Sequence, residues 1–76
     1  MKEILETIIT NLVNNTESVN ITEEITENAI ELKVKVSKED MGKVIGKQGR
    51  MAKAIRSVIK AIAIHEHKKV NVEFLD

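Results

Sequence analysis

The placement of the glycines restricts the fold of this chain more than any other feature. All three lie in the stretch GKVIGKQGR, residues 42–50, where Gly46 and Gly49 frame a G-x-x-G pattern. Glycine adopts backbone angles that other residues avoid, and it lacks the side chain that would keep a ligand away from the main chain. The stretch predicts a sharp turn between a very short helix that ends at Gly46 and a longer helix that begins at about Gly49.

Hydrophobic periodicity predicts the elements before this turn. Apolar residues at helical spacing fill positions 4–13, which predicts an amphipathic helix that ends at Asn14-Asn15. Residues 19–25 indicate a short, weakly patterned strand. Residues 30–36 alternate strictly between apolar and charged side chains, as in a half-buried strand. Residues 26–28 are predicted to form the hairpin turn between the two strands.

The second half of the chain carries helical patterns and one more strand. Ser37 and Asp40 fit a capping box. In this motif the Ser37 hydroxyl accepts from a free amide of the first helical turn, and the Asp40 carboxylate accepts in return from the Ser37 amide. Residues 65–68 are predicted to be a loop, and the alternation at 70–74 predicts a last strand that buries Phe74. The longer helix is predicted to bury one apolar face made by Met51, Ala52, Ile55, Val58, Ile59 and Ile62.

The predicted order is helix, strand, strand, helix, helix, strand. The strands near residues 29–36 and 69–75 are joined by helices, so they are predicted to pair in parallel, and the preceding hairpin adds an antiparallel strand. The expected architecture is an α+β fold with three helices on one face of a mixed three-stranded sheet and the other face free. A chain of 76 residues is too short for two cores, so residues 1–76 are predicted to form a single domain.

The formal net charge is zero, but the charges are unevenly placed. Residues 1–32 hold one basic and seven acidic residues, whereas residues 33–76 hold eleven basic and five acidic ones. Six basic side chains and no acidic ones lie within residues 42–60. This asymmetry favours a face that binds a polyanion, and the alternative is an ordinary solvated helix surface.

Composition argues against several classes of function. Without cysteine there can be no disulfide or thiolate metal site, and His65 and His67 stand without other ligands, so neither metal nor other cofactor is predicted. No catalytic triad or carboxylate pair is recognisable, and no enzymatic activity is predicted. Glu3 and Glu6 interrupt the N-terminal apolar pattern, unlike a signal peptide, and no apolar run approaches the roughly 18 residues of a membrane span. A cytoplasmic protein is expected.

The glycine-rich stretch does not match the nucleotide-binding loops. A Walker A loop needs G-x-x-x-x-G-K-[ST], whereas three residues separate Gly42 from Gly46 and Gln48 stands where the hydroxyl is required. The G-x-G-x-x-G of dinucleotide-binding folds is missing too. What remains is a helix that opens at a glycine, where free amides and the positive end of the helix dipole favour an anion. Lys47 and Arg50 add full charges beside it.

The segment VIGKQGRMAKAI resembles the V-I-G-x-x-G signature of KH domains. The element order is similar to the type II arrangement, and the whole chain is similar to the small bacterial single-KH proteins of the KhpA family. The resemblance implies that the loop holds about four nucleotides of single-stranded RNA or DNA by their backbone. Ala52 departs from the larger aliphatic residue of many KH domains, which leaves the base preference open. The residues that the resemblance implies in RNA binding are Ile45, which lines the base groove, and the loop residues Gly46, Lys47, Gln48 and Gly49. The charge pattern adds the basic residues Lys43, Arg50 and Lys53.

One flank of the longer helix is a candidate contact between protein chains. Small side chains on this flank would let another helix approach, and the alternative is an ordinary helix surface. The resemblance implies a homodimer, a heterodimer with a second, larger KH protein of the KhpB type, or both. The residues of this flank are Ala54, Ser57, Ala61 and Ile64.

The sequence therefore predicts a non-enzymatic RNA-binding protein, acting as a post-transcriptional regulator or RNA chaperone. A scaffold module on a KH fold and a single-stranded DNA-binding protein are the alternatives. The intact, basic loop favours nucleic acid over the scaffold. With Phe74 in the core, bases are not expected to stack on aromatic side chains, and Arg56 and Lys60 are expected to act only at long range or to be solvated.

Overall fold

The computed structural model describes residues 1–75, and its elements follow the predicted order. Within this part of the chain, no helix combines the length and the apolar composition that crossing a bilayer requires. The helices are α1 (Lys2–Leu12), α2 (Met41–Ile45) and α3 (Arg50–His65). The strands are β1 (Asn20–Ile25), β2 (Ala29–Lys35) and β3 (Lys69–Leu75), and 3₁₀ turns lie at Thr16–Ser18 and Lys47–Gly49.

The sheet is mixed and has three strands, as predicted. β2 is central, antiparallel to β1 and parallel to β3. Val34 lies opposite Ile21, and Leu32 lies opposite Val72, so apolar side chains of all three strands share one face. The Thr26 amide donates to the Ala29 carbonyl at 2.8 Å and closes the hairpin.

The core lies between this apolar face and the helices. α1 contributes Leu5 and Ile9, α2 contributes Val44, and α3 contributes Ile55 and Ile59, all of them buried. Burying each such side chain contributes about 1.5–3 kcal/mol relative to leaving it in water. The opposite face of the sheet is polar along β2, which confirms the α+β architecture with helices on one face.

The buried stripe of α3 differs from the predicted one. Ala52, Ile55, Ile59 and Ala63 are buried, whereas Met51 and Val58 are 37% and 49% exposed. The two exposed residues lie on one flank of the helix, roughly 80–100° from the centre of the buried stripe at 100° per residue. The apolar pattern of α3 is therefore wider than the face that packs on the sheet.

Asp40 makes contacts that the predicted capping box does not contain. The Ser37 hydroxyl does accept from the Asp40 amide, at 3.3 Å. The carboxylate, however, accepts from the main-chain amides of Asn14 and Asn15 and from the Ser37 hydroxyl, so the reciprocal half of the box is wrong. The amides of Asn14 and Asn15 donate to Asp40 in place of the Ser37 amide, because the segment after α1 lies against the start of α2.

Candidate nucleic-acid interface

The turn between α2 and α3 depends on glycine at two positions. Gly46 has φ 74° and ψ −178°, and a Cβ there would lie 2.7 Å from the Met51 Cβ and 2.9 Å from the Met51 nitrogen. Gly49 has φ 75° with open space around it, so only its backbone angle favours glycine. Position 42 does not require glycine, since it has no left-handed backbone angle and nothing lies within 4 Å of a Cβ placed there. The G-x-x-G spacing is therefore required by the path of the chain.

The turn leaves main-chain amides without internal acceptors. Its hydrogen bonds run from the Gly49 amide to the Gly46 carbonyl at 3.3 Å, and from the Arg50 amide to the Lys47 carbonyl. Within residues 1–75, the amides of Lys47 and Gln48 donate none of the turn or cap hydrogen bonds. α3 then begins with no side-chain cap and no acidic residue in its first turn. The amides and the positive end of the α3 dipole are thus available to an anion.

The charges around the turn are basic and exposed. Lys47, Arg50 and Lys53 are exposed, and neither of the two ion pairs found within residues 1–75 involves them. Lys43 differs, because its Nζ lies 3.8 Å from the Asp40 Oδ1. Ile45 is half-buried and packs against the core at the end of α2. The structure thus brings the predicted loop residues and three free cations together around one turn.

Arg56 makes two contacts that the sequence did not predict. Its Nε donates to the Val72 carbonyl at 3.0 Å, and its Cζ lies 5.3 Å from the centroid of the Phe74 ring. Phe74 is half-buried and packs against the core, rather than lying wholly within it. Nothing in the local sequence links Arg56 to Phe74; only the return of β3 along α3 brings them together.

The predicted protein-contact flank of α3 is exposed. Ala54, Ser57 and Ala61 face solvent, and Ile64 is 66% exposed. Ile64 also lines a groove of about 400 Å³ together with Lys60, Lys68, Lys69 and Val70. The exposed Met51 and Val58 extend the apolar surface on the other side of the small residues.

The element order, the mixed sheet and the G-x-x-G turn between two helices define the class of protein, a KH domain in the type II arrangement. Residues 2–74 match the family described as KhpA/KhpB, KH domain. The chain belongs to this family, as its sequence predicted.

Curated relatives match the chain over nearly its whole length. A protein from Clostridium perfringens named RNA-binding protein KhpA is 59% identical over 75 residues, covering 99% of this chain and all of the relative. Proteins of the same name from Listeria monocytogenes and Bacillus subtilis are 46% and 41% identical over 76 residues, covering all and 94% of those relatives. These relatives are named as RNA-binding proteins and not as enzymes. No solved structure matches the chain at a significant level.

Proposed function

We propose that the chain binds single-stranded RNA through the G-x-x-G turn and works in the cytoplasm as a post-transcriptional regulator or RNA chaperone. One observation carries the proposal: the turn at 46–49 leaves amides free at the N-terminus of α3, with no acidic residue in its first turn. Lys47 and Arg50 stand beside these amides, exposed and unpaired among residues 1–75. An RNA phosphate would therefore meet hydrogen-bond donors and positive charge together.

A single strand fits this site better than a duplex. KH domains hold about four nucleotides by their backbone and contact unstacked bases, which a duplex does not present. In this chain, Ile45 is half-buried beside the turn and offers an apolar surface to such a base. The names of the relatives, all RNA-binding protein KhpA, support RNA as the ligand.

The two alternatives differ in what they require of the turn. A scaffold on a KH fold needs no free amides or cations there, so it leaves the exposure of Lys47 and Arg50 unexplained. Single-stranded DNA carries the same phosphates and differs by the missing 2′-hydroxyl. A direct comparison of the two strands decides between RNA and DNA.

Pairing with a second KH domain is the other part of the proposal. The exposed flank formed by Ala54, Ser57, Ala61 and Ile64 is the surface we assign to it, in a homodimer or with a larger KhpB-type protein. The joint description of the family as KhpA/KhpB supports a partner of that type. Two turns in one assembly would hold one RNA more tightly than either alone.

The test is a double substitution in the turn, Lys47→Asp with Gln48→Asp. Both side chains are exposed, and aspartate tolerates the left-handed backbone of Gln48 better than most residues do. The matched control is Asn20→Asp with Lys68→Asp, which changes the net charge equally on exposed residues, one at the start of β1 and one just before β3. Fluorescence anisotropy with a short oligouridine should show binding lost in the turn variant and largely kept in the control. Equal RNA binding by both variants would contradict the proposal. Tighter binding of oligodeoxyuridine than of oligouridine by the unaltered protein would favour the DNA alternative.

A further inference from the structure

The guanidinium of Arg56 is held in one orientation by two contacts. Its Nε donates to the Val72 carbonyl on β3, which has a strand neighbour on one side only. The group lies over the Phe74 ring, with 5.3 Å between Cζ and the ring centroid. Arg56 is otherwise exposed, and its terminal nitrogens donate none of the side-chain hydrogen bonds found within residues 1–75. The side of the group away from the ring and its terminal nitrogens are therefore available.

Arg56 belongs to a row of basic side chains on α3 that begins near the turn. Lys53, Arg56 and Lys60 succeed one another at spacings of three and four residues, so they line one side of α3. Arg56 comes six residues after Arg50, which places it about 9 Å further along the helix axis. That distance is within the reach of a strand whose backbone is held at the G-x-x-G turn.

The flat surface that a base needs is otherwise scarce in this protein. RNA-binding modules stack unpaired bases on aromatic rings or on arginine guanidinium planes. Phe74 is the only Phe, Tyr or Trp of the sequence, and its ring is half-buried with Arg56 over it. The two histidines, His65 and His67, lie at the end of α3 away from the turn. A guanidinium is planar and weakly hydrated, and it stacks on π systems in a way that a lysine ammonium does not.

We propose that Arg56 is the platform on which one base of the bound RNA stacks, with the guanidinium lying between that base and the Phe74 ring. The inference rests on the proposed function and adds one base-binding residue to it. Stacking of this kind tolerates every base, because each base has a π face. The free terminal nitrogens then donate to the edge of a neighbouring base or to a phosphate.

The experiment removes one base of the RNA and the guanidinium of Arg56 separately. The probe is an oligouridine of about four nucleotides, the length that a KH loop holds, so that few alternative registers exist. A single abasic nucleotide is placed at each position in turn. At one position, the wild-type affinity should fall about tenfold, the typical loss of one stacked base. Arg56→Lys keeps the charge and loses the plane, so it should bind the intact strand about tenfold more weakly and show no further loss at that position.

A control and a second variant separate stacking from charge and from folding. Lys60→Gln removes a neighbouring charge and should weaken the intact and abasic strands by the same factor. Phe74→Leu leaves Arg56 in place without its supporting ring, and it should reduce the sensitivity to the missing base. Thermal melting followed by circular dichroism identifies any variant that has unfolded.

Two results would overturn the inference. One is an Arg56→Lys protein that loses the same factor for intact and abasic strands, because Arg56 would then act through its charge or through the fold. The other is a Phe74→Leu protein that keeps the full wild-type sensitivity to the abasic position. Failure of the wild-type protein to bind any RNA would instead contradict the proposed function. If the turn variant lost binding and Arg56→Lys changed nothing, only the platform would be disproved.

Discussion

The buried carboxylate of Asp40 accepts a hydrogen bond from the main-chain amide of Asn15 at 2.9 Å, and this contact joins the end of α1 to the start of α2. A second oxygen accepts from the Asn14 amide at 3.1 Å, so one side chain serves two amides beyond the helix. The turn that carries the proposed RNA site begins at the other end of α2. The position of α2, and with it the position of the turn, therefore depends on a contact 25 residues away in sequence.

Asp40→Asn should destabilise the protein. Asparagine has a similar shape but offers one acceptor oxygen in place of two, so one of the amides of Asn14 and Asn15 would lose its partner. Thermal unfolding should show a lower melting temperature than in the wild type. Glu39→Gln is the matched control, since Glu39 is exposed and should change the melting temperature little. An Asp40→Asn protein as stable as the control would contradict this role.

The Asp40 carboxylate should make the thermal stability of the protein depend on pH in the acid range. The pKa of Asp40 lies below its ordinary value of 3.8, chiefly because the amides of Asn15 and then Asn14 donate to it, with Ser37 and Lys43 adding to this and burial opposing it. The stabilisation is complete above that ordinary value and is lost as the pH falls through the lower folded-state pKa. Between about pH 5 and pH 2, the melting temperature should fall more steeply in the wild type than in Asp40→Asn. Parallel curves would show that other groups cause the acid sensitivity.

Replacing each of the three glycines by alanine should change the free energy of unfolding by a different amount. Gly46→Ala combines a backbone conformation reserved for glycine with a clash against Met51, and it should cost about 2–3 kcal/mol. Gly49→Ala meets open space and should cost about 1 kcal/mol for its left-handed angle. Gly42→Ala lies within α2 without strain, and it should stabilise by roughly 0.5–1 kcal/mol. Urea unfolding measures all three, and a Gly46→Ala protein as stable as Gly42→Ala would be inconsistent with the turn geometry.

RNA binding should weaken with salt in proportion to the phosphates held. Contacts with three or four phosphates on a single strand predict a slope of log affinity against log salt of about −2 to −3. Lys47→Gln should make that slope shallower by about 0.7, because one contact is lost. Gln48→Asn, which leaves the charge unchanged, serves as the control. An affinity independent of salt, or a preference for duplex RNA, would argue against a site led by backbone contacts.

Ile64→Asp should separate paired chains without unfolding them. Ile64 is 66% exposed, so an aspartate there is tolerated in the monomer but would be desolvated in an apolar contact, at a cost of several kcal/mol. Sedimentation should shift from dimer to monomer while circular dichroism stays helical. Val58→Asp tests the neighbouring apolar surface on the same helix. If Ile64→Asp stayed dimeric and Val58→Asp did not, the contact would lie on the Val58 side of α3.

The order of elements, the pairing of the strands and the position of the turn were predictable because they follow from local patterns. Alternation at 30–36 and 70–74, helical spacing and the two glycines of the turn each act within a few residues. The contacts of Asp40 and Arg56 were not predictable in this way, since their partners lie 25 and 16 residues away. The exposure of Met51 and Val58 was missed for a related reason: an apolar pattern shows which side chains can be buried, and the width of the packing surface decides which are.

Gln48 holds a left-handed backbone, with φ 56° and ψ 26°, at the tip of the turn. Such a conformation costs a residue with a side chain about 1–2 kcal/mol, which a glycine at the same position would largely avoid. Selection for thermal stability alone would therefore tend to replace Gln48 and shorten the side chain at the tip. Selection for ligand binding would tend to keep it. Laboratory evolution under each pressure separately should therefore diverge at Gln48, where the demands of folding and of ligand binding are opposed.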